Sequence, residues 1–170
     1  AQSSFEVKLY SGQPPYTNGD SRDTAKVRVF LPMEKEATGR AVVICPGGAY
    51  LIHATKEGEA VALEFCARGF TAFVLKYTVG LDREHPENGF NRAARYPVQA
   101  LELMETIHIL CMHREEFHLA DGIFLMGFSA GGHVAATVGA RWMDHELTSQ
   151  LSFVPKPNEL CVDGMVLRYP

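Results

Sequence analysis

The sequence predicts an α/β architecture, a mostly parallel sheet with helices on both faces, and three observations point to it. Four short, continuous apolar runs, residues 41–45, 71–75, 123–126 and 164–167, have the length and texture of strands buried on both faces. Between them lie segments whose apolar residues recur at helical spacing, so strands and helices alternate as a parallel sheet with right-handed crossovers requires. Ahead of them, residues 5–10 and 26–31 alternate apolar and polar side chains around a Gly/Pro/Asn/Asp-rich stretch, the pattern of an antiparallel pair at a sheet edge.

Each helix carries its own signals. The first begins near Lys56, with Glu57 and Glu59 in an opening turn whose positive end favours acids, and Gly69 is its natural stop. The second starts with Pro97 in its first turn and repeats apolar residues at Val98, Leu101, Met104, Ile107 and Cys111. The third opens directly after Ser129 and runs to about Trp142. The 170 residues contain no internal repeat, low-complexity tract or linker and read as a single domain, 1–170.

Composition narrows the function classes. With 46% hydrophobic and 21% charged residues the chain is a globular unit able to bury a core. Sixteen Lys and Arg against 20 Asp and Glu give a net charge of −4 with no basic run, so nucleic acid is not expected as a partner. No apolar stretch approaches the ~20 residues of a membrane helix, and residues 1–6 lack the basic and apolar parts of a signal peptide, so no membrane is expected either. Cys45, Cys66, Cys111 and Cys161 show no metal-ligand spacing and sit inside or beside apolar runs. They read as buried free thiols, which favours a reducing compartment such as the cytoplasm. No metal and no cofactor are implied.

The chemistry is concentrated in Gly127-Phe128-Ser129-Ala130-Gly131, a GxSxG pattern between a short apolar strand and a helical stretch. That context makes Ser129 a candidate nucleophile on a strained turn, with Gly127 and Gly131 letting strand and helix approach without Cβ clashes. The following helix points its free N–H groups and positive end at the serine, where negative charge develops during acyl transfer. The plainer alternative is a helix N-cap in a glycine-rich turn. A second element, Pro46-Gly47-Gly48-Ala49-Tyr50, ends the run at 41–45 and supplies a turn through which bare backbone can reach an oxyanion. Both lie at the carboxyl ends of predicted strands, the mouth of an open α/β sheet.

These segments, with Lys56-Glu57-Gly58-Glu59, the run 69–77 and Gly132-His133, resemble the α/β-hydrolase fold, and within it the acetyl-xylan-esterase-like branch of esterases and lipases. The resemblance covers roughly residues 25–170. It implies a serine ester hydrolase whose main oxyanion donors are the N–H groups of Ala49 and Ala130, with Gly48 nearby. Ala49 departs from the third glycine common in that branch and is tolerated there if its φ is negative. A larger departure concerns the triad, which in this fold runs nucleophile, acid, histidine along the chain. The sequence ends at Pro170, just after what resembles the sixth strand, 165–169, and Asp144, His145 and Asp163 fall in a helix end or a link between elements. The expectation is a fragment holding the N-terminal and central part of the fold, with the last strands missing. Removing the histidine of a serine triad costs roughly 10⁶-fold in kcat, so the fragment alone is expected to be nearly inert. Its uncovered sheet edge calls for a missing segment or a second copy of the chain.

Among the remaining residues, Tyr50, His53 and Tyr77 are candidates for the substrate pocket, with packing or structural roles as the alternative. His133, one helical turn after Ser129, reads as a brace for the elbow. His108, His113 and His118 read as helix-face or loop residues, since none pairs with ligand spacing beside an acid. Residues 80–95 form either a flap over the site or a plain surface loop. The function read from the sequence is hydrolysis of a short acyl ester, acetyl on a sugar or xylan, through an acyl-enzyme on Ser129. The rivals are an amide or peptide hydrolase on the same fold and a non-catalytic scaffold that retains it.

Overall fold

A computed structural model describes residues 3–10, 25–54, 57–81 and 86–168. Six strands form one sheet: β1 (Ser3–Lys8), β2 (Lys26–Leu31), β3 (Ala41–Cys45), β4 (Thr71–Lys76), β5 (Ile123–Phe128) and β6 (Gly164–Arg168), in spatial order β1-β2-β4-β3-β5-β6. The first two pair antiparallel at the edge, as their alternation predicts, and β2 is antiparallel to β4. The other four run parallel. Helices α1 (Glu59–Ala67), α2 (Val98–Met112) and α3 (Ala130–Arg141) make the crossovers, and a short α4 (His145–Thr148) follows α3.

Alternation along β3 and β4 sends side chains into two cores. Val43, Cys45, Phe73 and Leu75 pack with α2 and α3 on one face. Val42, Ile44, Ala72 and Val74 meet Ala62 and Cys66 of α1 on the other. Both faces of these strands are thus dry, which is why their sequences read as unbroken apolar runs.

The same texture misleads for the later strands. β5 buries Ile123 and Leu125 under α2 and α3, but Phe124, Met126 and Phe128 are only half-buried. β6 is largely open, with Met165 41% and Val166 54% exposed. Met165 turns towards Gly139 of α3, whereas on the face of Val166 α1 is the one helix described, and its main contacts are with β2, β3 and β4. An apolar groove lined by Phe65, Phe70, Phe124, Met126 and Val166 remains beside it.

Two other expectations are corrected. Lys56 lies outside the described residues, as does Tyr169, and α1 begins only at Glu59 with Gly58 as its cap, so Glu57 precedes the helix. All four cysteines are free, but only Cys45 and Cys66 are buried. Cys111, at the end of α2, is half-buried at the margin of the α2/α3 core, and Cys161, in the link to β6, is exposed.

Helix α2 is buried on nearly every side and carries two acids inward. Glu102, 1% exposed, accepts hydrogen bonds from the Thr78 N–H at 2.8 Å and the Thr78 hydroxyl at 2.5 Å. Glu105 accepts from the Ser152 N–H and hydroxyl at 2.8 and 2.7 Å. Buried carboxylates survive only when so satisfied, and these two fix the loop after β4 and the segment after α4 to the helix between them.

Candidate active site

Ser129 joins β5 to α3 at φ +51° and ψ −116°, a backbone conformation that costs a non-glycine residue about 1–3 kcal/mol. The surroundings enforce it. A Cβ on Gly127 would lie 2.4 Å from the carbonyl oxygen of Gly131 and 2.6 Å from the Gly132 Cα. One on Gly131 would lie 2.0 Å from the carbonyl oxygen of Cys45. Only glycines let α3 start this close to β5 and β3. The Ser129 N–H donates to the carbonyl of Arg168 in β6 at 2.6 Å, and its own carbonyl accepts from the His133 N–H at 3.1 Å. The side chain is exposed, and among the described residues its hydroxyl makes no hydrogen bond.

The turn after β3 packs directly on this elbow. A Cβ on Gly47 would meet the Ser129 Cβ at 3.2 Å and the carbonyl oxygen of Phe128 at 2.9 Å. The carbonyl of Gly47 accepts from the Ala54 N–H at 2.9 Å, and that of Gly48 from the N–H groups of Leu51 and Ile52 at 2.9 and 3.2 Å. Among the described residues no hydrogen bond takes up the N–H groups of Gly48, Ala49 or Ala130. Ala49 does not meet the condition of a negative φ. It stands at +55°, followed by Tyr50 at +63°, so two consecutive side-chain-bearing residues occupy left-handed backbone.

Tyr50 is held from several sides. Its hydroxyl hydrogen-bonds the His133 Nδ1, the two rings meet edge-on at 5.9 Å, and its carbonyl accepts from the Gly80 N–H at 2.8 Å. Burial, with a smaller contribution from Cys45, pushes the Tyr50 phenol up to about 12, so it stays protonated at neutral pH. His133 therefore ties the turn, through Tyr50, to α3. Burial likewise pushes the Cys45 thiol up to about 12, which removes it as a rival nucleophile.

Tyr77 is not a pocket residue. It is 1% exposed, donates to the carbonyl of Pro46, and belongs to the core under the turn; burial raises its phenol further than that of Tyr50. His53 is half-buried, with Nε2 2.7 Å from the Tyr77 carbonyl and its ring edge-on to Tyr77 at 5.0 Å. Tyr50 lines a cavity of about 230 Å³, shared with Ala94, Tyr96, Gln99, His133 and Val134. The described parts of the 80–95 stretch are tied to the turn through Gly80 and Leu81, and residues 82–85 lie outside the described residues.

The other candidates are structural. His108 stacks on Phe153 and sits 2.5 Å from Glu159, and His113 pairs with Glu116 at 3.1 Å. Asp144 caps α4 and pairs with Arg141, while Asp163 accepts from the Ile123 N–H at 2.8 Å. A larger cavity of about 350 Å³ lies between the end of α2 and residues 156–163, beside Ile123 at the start of β5. The elbow is at the other end of that strand, the carboxyl end, where open α/β sheets place their ligands.

Sequence reasoning missed Glu57. Its Oε1 accepts from the Gly47 N–H at 2.9 Å, at the foot of the turn that touches Ser129. The signal available, an acid ten residues after the turn, is indistinguishable from a helix-opening glutamate.

The BD-FAE family model matches residues 27–170. Over 135 residues the chain is 28% identical to endo-1,4-beta-xylanase B of Butyrivibrio fibrisolvens, covering 76% of this chain and 19% of that protein. Among solved structures it resembles a carboxylesterase of Lactobacillus plantarum, with a TM-score of 0.72 at 21% identity, 97% of this chain and 55% of the other being covered. It also resembles an acetyl ester-xyloside bifunctional hydrolase of Caldicellulosiruptor lactoaceticus, with a TM-score of 0.70 at 23% identity over 96% and 56% of the two chains. The chain thus spans little more than half the length of these structures and a fifth of the xylanase. With the family model matched over most of its length, this chain belongs to the BD-FAE family and has an α/β-hydrolase fold.

Proposed function

We propose that this chain carries the nucleophile and oxyanion-binding half of a serine ester hydrolase. The observation that supports it most strongly is Ser129 itself, an exposed serine at φ +51° wedged between two glycines whose neighbours leave no room for a Cβ. In the reaction the Ser129 hydroxyl loses its proton to a histidine beyond the described residues and attacks the ester carbonyl. The N–H groups of Ala49 and Ala130, with Gly48 nearby, hold the oxyanion of the tetrahedral intermediate, a contribution of about 3–4 kcal/mol per donor where one has been removed from such a site. Collapse expels the alcohol, and water then releases the acid from the acyl-serine.

The substrate class is a short acyl ester, with acetyl on a sugar or xylan as the leading case. In support, the cavity beside Tyr50 and His133, about 230 Å³, falls below the ~300 Å³ at which sites for drug-sized ligands begin. The names of a xylanase relative and an acetyl ester-xyloside hydrolase neighbour agree with it.

The test is to treat the full-length protein with a fluorophosphonate and locate the label by peptide mass spectrometry, alongside hydrolysis of acetyl esters and aminoacyl amides. Label on Ser129 together with ester turnover upholds the reading. An unlabelled Ser129 in folded protein overturns it in favour of a non-catalytic scaffold, and faster amide turnover would move the chemistry to peptides.

A further inference from the structure

The peptide groups of residues 46–48 are tied down almost completely. The Pro46 carbonyl accepts from Tyr77, the Gly47 carbonyl from Ala54 and the Gly48 carbonyl from Leu51 and Ile52. The Gly47 N–H is the next donor along, and it goes to a side chain, the Oε1 of Glu57 at 2.9 Å. The first N–H groups left over are those of Gly48 and Ala49. The carboxylate also abuts the nucleophile's own site: a single methyl on Gly47 would meet Glu57 Oε1 at 2.5 Å and the Ser129 Cβ at 3.2 Å. Glu57 stands before α1, half-buried, and so is free of the helix it precedes.

Resting on the esterase reading above, we infer that Glu57 is a positioning residue: its carboxylate fixes the Gly47 peptide so that the following N–H groups are held beside Ser129. A carboxylate near a developing oxyanion opposes it electrostatically, so its value here lies in geometry. A charged acceptor makes a shorter and stronger hydrogen bond to an amide than a neutral one. Once the Gly47 N–H is occupied, the plane of the next peptide is restricted, and with it the direction of the Gly48 and Ala49 donors. Misplacing a catalytic group by about 1 Å costs on the order of 10²-fold in rate.

The test uses the full-length protein, with kcat expressed per Ser129 titrated by fluorophosphonate. Unmodified protein that neither hydrolyses acetyl esters nor takes the label sinks the esterase reading irrespective of Glu57. With that reading standing, Glu57→Ala is expected to lower kcat about ten- to a hundredfold with KM within about threefold, as loss of oxyanion geometry does. Glu57→Gln keeps an oxygen acceptor and is expected to return to within about fivefold of the unmodified protein, the margin set by a neutral acceptor being weaker. Independently of activity, the Gly47 amide proton, followed by NMR in glycine-labelled protein, should move upfield in Glu57→Ala and by less in Glu57→Gln. An unmoved Gly47 resonance, an unchanged kcat in Glu57→Ala, or a Glu57→Gln variant as impaired as the alanine would each overturn the inference. If Glu57→Ala does not fold, Glu57→Gln decides: folded and active upholds it, folded and inactive overturns it. Failure of both to fold also overturns it, since the side chain would then hold the fold rather than the turn.

Discussion

Alanine at two adjacent glycines of α3 should act in opposite directions. A methyl on Gly131 would lie 2.0 Å from the carbonyl oxygen of Cys45 and 2.6 Å from that of Pro46, well inside the ~3.3 Å at which carbon and oxygen ordinarily meet. Both obstacles are backbone, at the end of β3 and the start of the turn after it, so relief requires α3 to back away from the strand. Overpacking of this kind costs about 1–3 kcal/mol, against which the helix preference for alanine returns up to about 1 kcal/mol. A methyl on Gly132 finds its nearest neighbour, the Gly127 carbonyl oxygen, at 3.4 Å. It fits, and only the gain of about 0.5–1 kcal/mol remains. In a protein of this size 1 kcal/mol moves Tm by roughly 2–4 °C, so Gly132→Ala should melt about 2 °C higher and Gly131→Ala several degrees lower. Because the displaced helix carries the Ala130 N–H away from the Ala49 N–H, Gly131→Ala should also slow fluorophosphonate labelling of Ser129, by about 10²-fold for a 1 Å shift. Differential scanning calorimetry and a labelling time course read the two effects. A Gly131→Ala protein as stable and as reactive as Gly132→Ala would refute the packing argument.

Three further outcomes follow from the same geometry. Ser129→Gly should melt above Ser129→Ala by a few degrees, since both lose the hydroxyl but only glycine relaxes at φ +51°; equal melting temperatures would mean the turn stores no strain. Burial holds the Tyr50 phenol near 12 against an ordinary value of 10.0, so the folded state keeps this proton more tightly than the unfolded chain does, and the associated stability is intact below pH 10 and lost as the pH rises towards 12. Thermal melts across that window should fall more steeply for the unmodified protein than for Tyr50→Phe, and parallel curves would contradict the assignment. Glu102→Ala should destabilise by about 3 kcal/mol or more in a urea titration, because it opens a cavity and strips the Thr78 N–H and hydroxyl of their acceptor, whereas Glu102→Gln should cost less.

The order of elements and the elbow were legible because each depends on neighbours close in sequence. β3 and β4 read as strands from apolar runs alone, and GxSxG sets its own backbone, since Gly127 is what the close start of α3 demands and Gly131 what the contact with β3 demands. What sequence could not supply was burial decided by a distant element. Tyr77 ends a strand at the mouth of the sheet, as a pocket residue would, yet its hydroxyl turns under Pro46, 31 residues away. Val166 carries the side chain of a buried strand but stands exposed, because α1, the helix on its face, makes its main contacts with β2, β3 and β4. Cys161 sits among apolar residues in sequence and in an exposed link in space. Glu57 has the sequence signature of a helix-opening acid, and its partner is a turn that only the fold brings near.

Ala49, Tyr50 and Ser129 share one property that no local preference explains: all are side-chain-bearing residues at φ between +51° and +63°. At about 1–3 kcal/mol each, such conformations persist only where tertiary contacts over-determine them. Each restraint here comes from a different element. β6 accepts the Ser129 N–H through Arg168, α3 holds Tyr50 through His133, and Gly80, after β4, donates to the Tyr50 carbonyl. The strained turn and the strained elbow are thus wired to one another through α3, whose first residue, Ala130, follows the serine and whose fourth, His133, donates its N–H to the serine carbonyl. A perturbation that loosens β6, a largely uncovered strand, releases the Ser129 N–H and reaches Ser129 through that 2.6 Å bond.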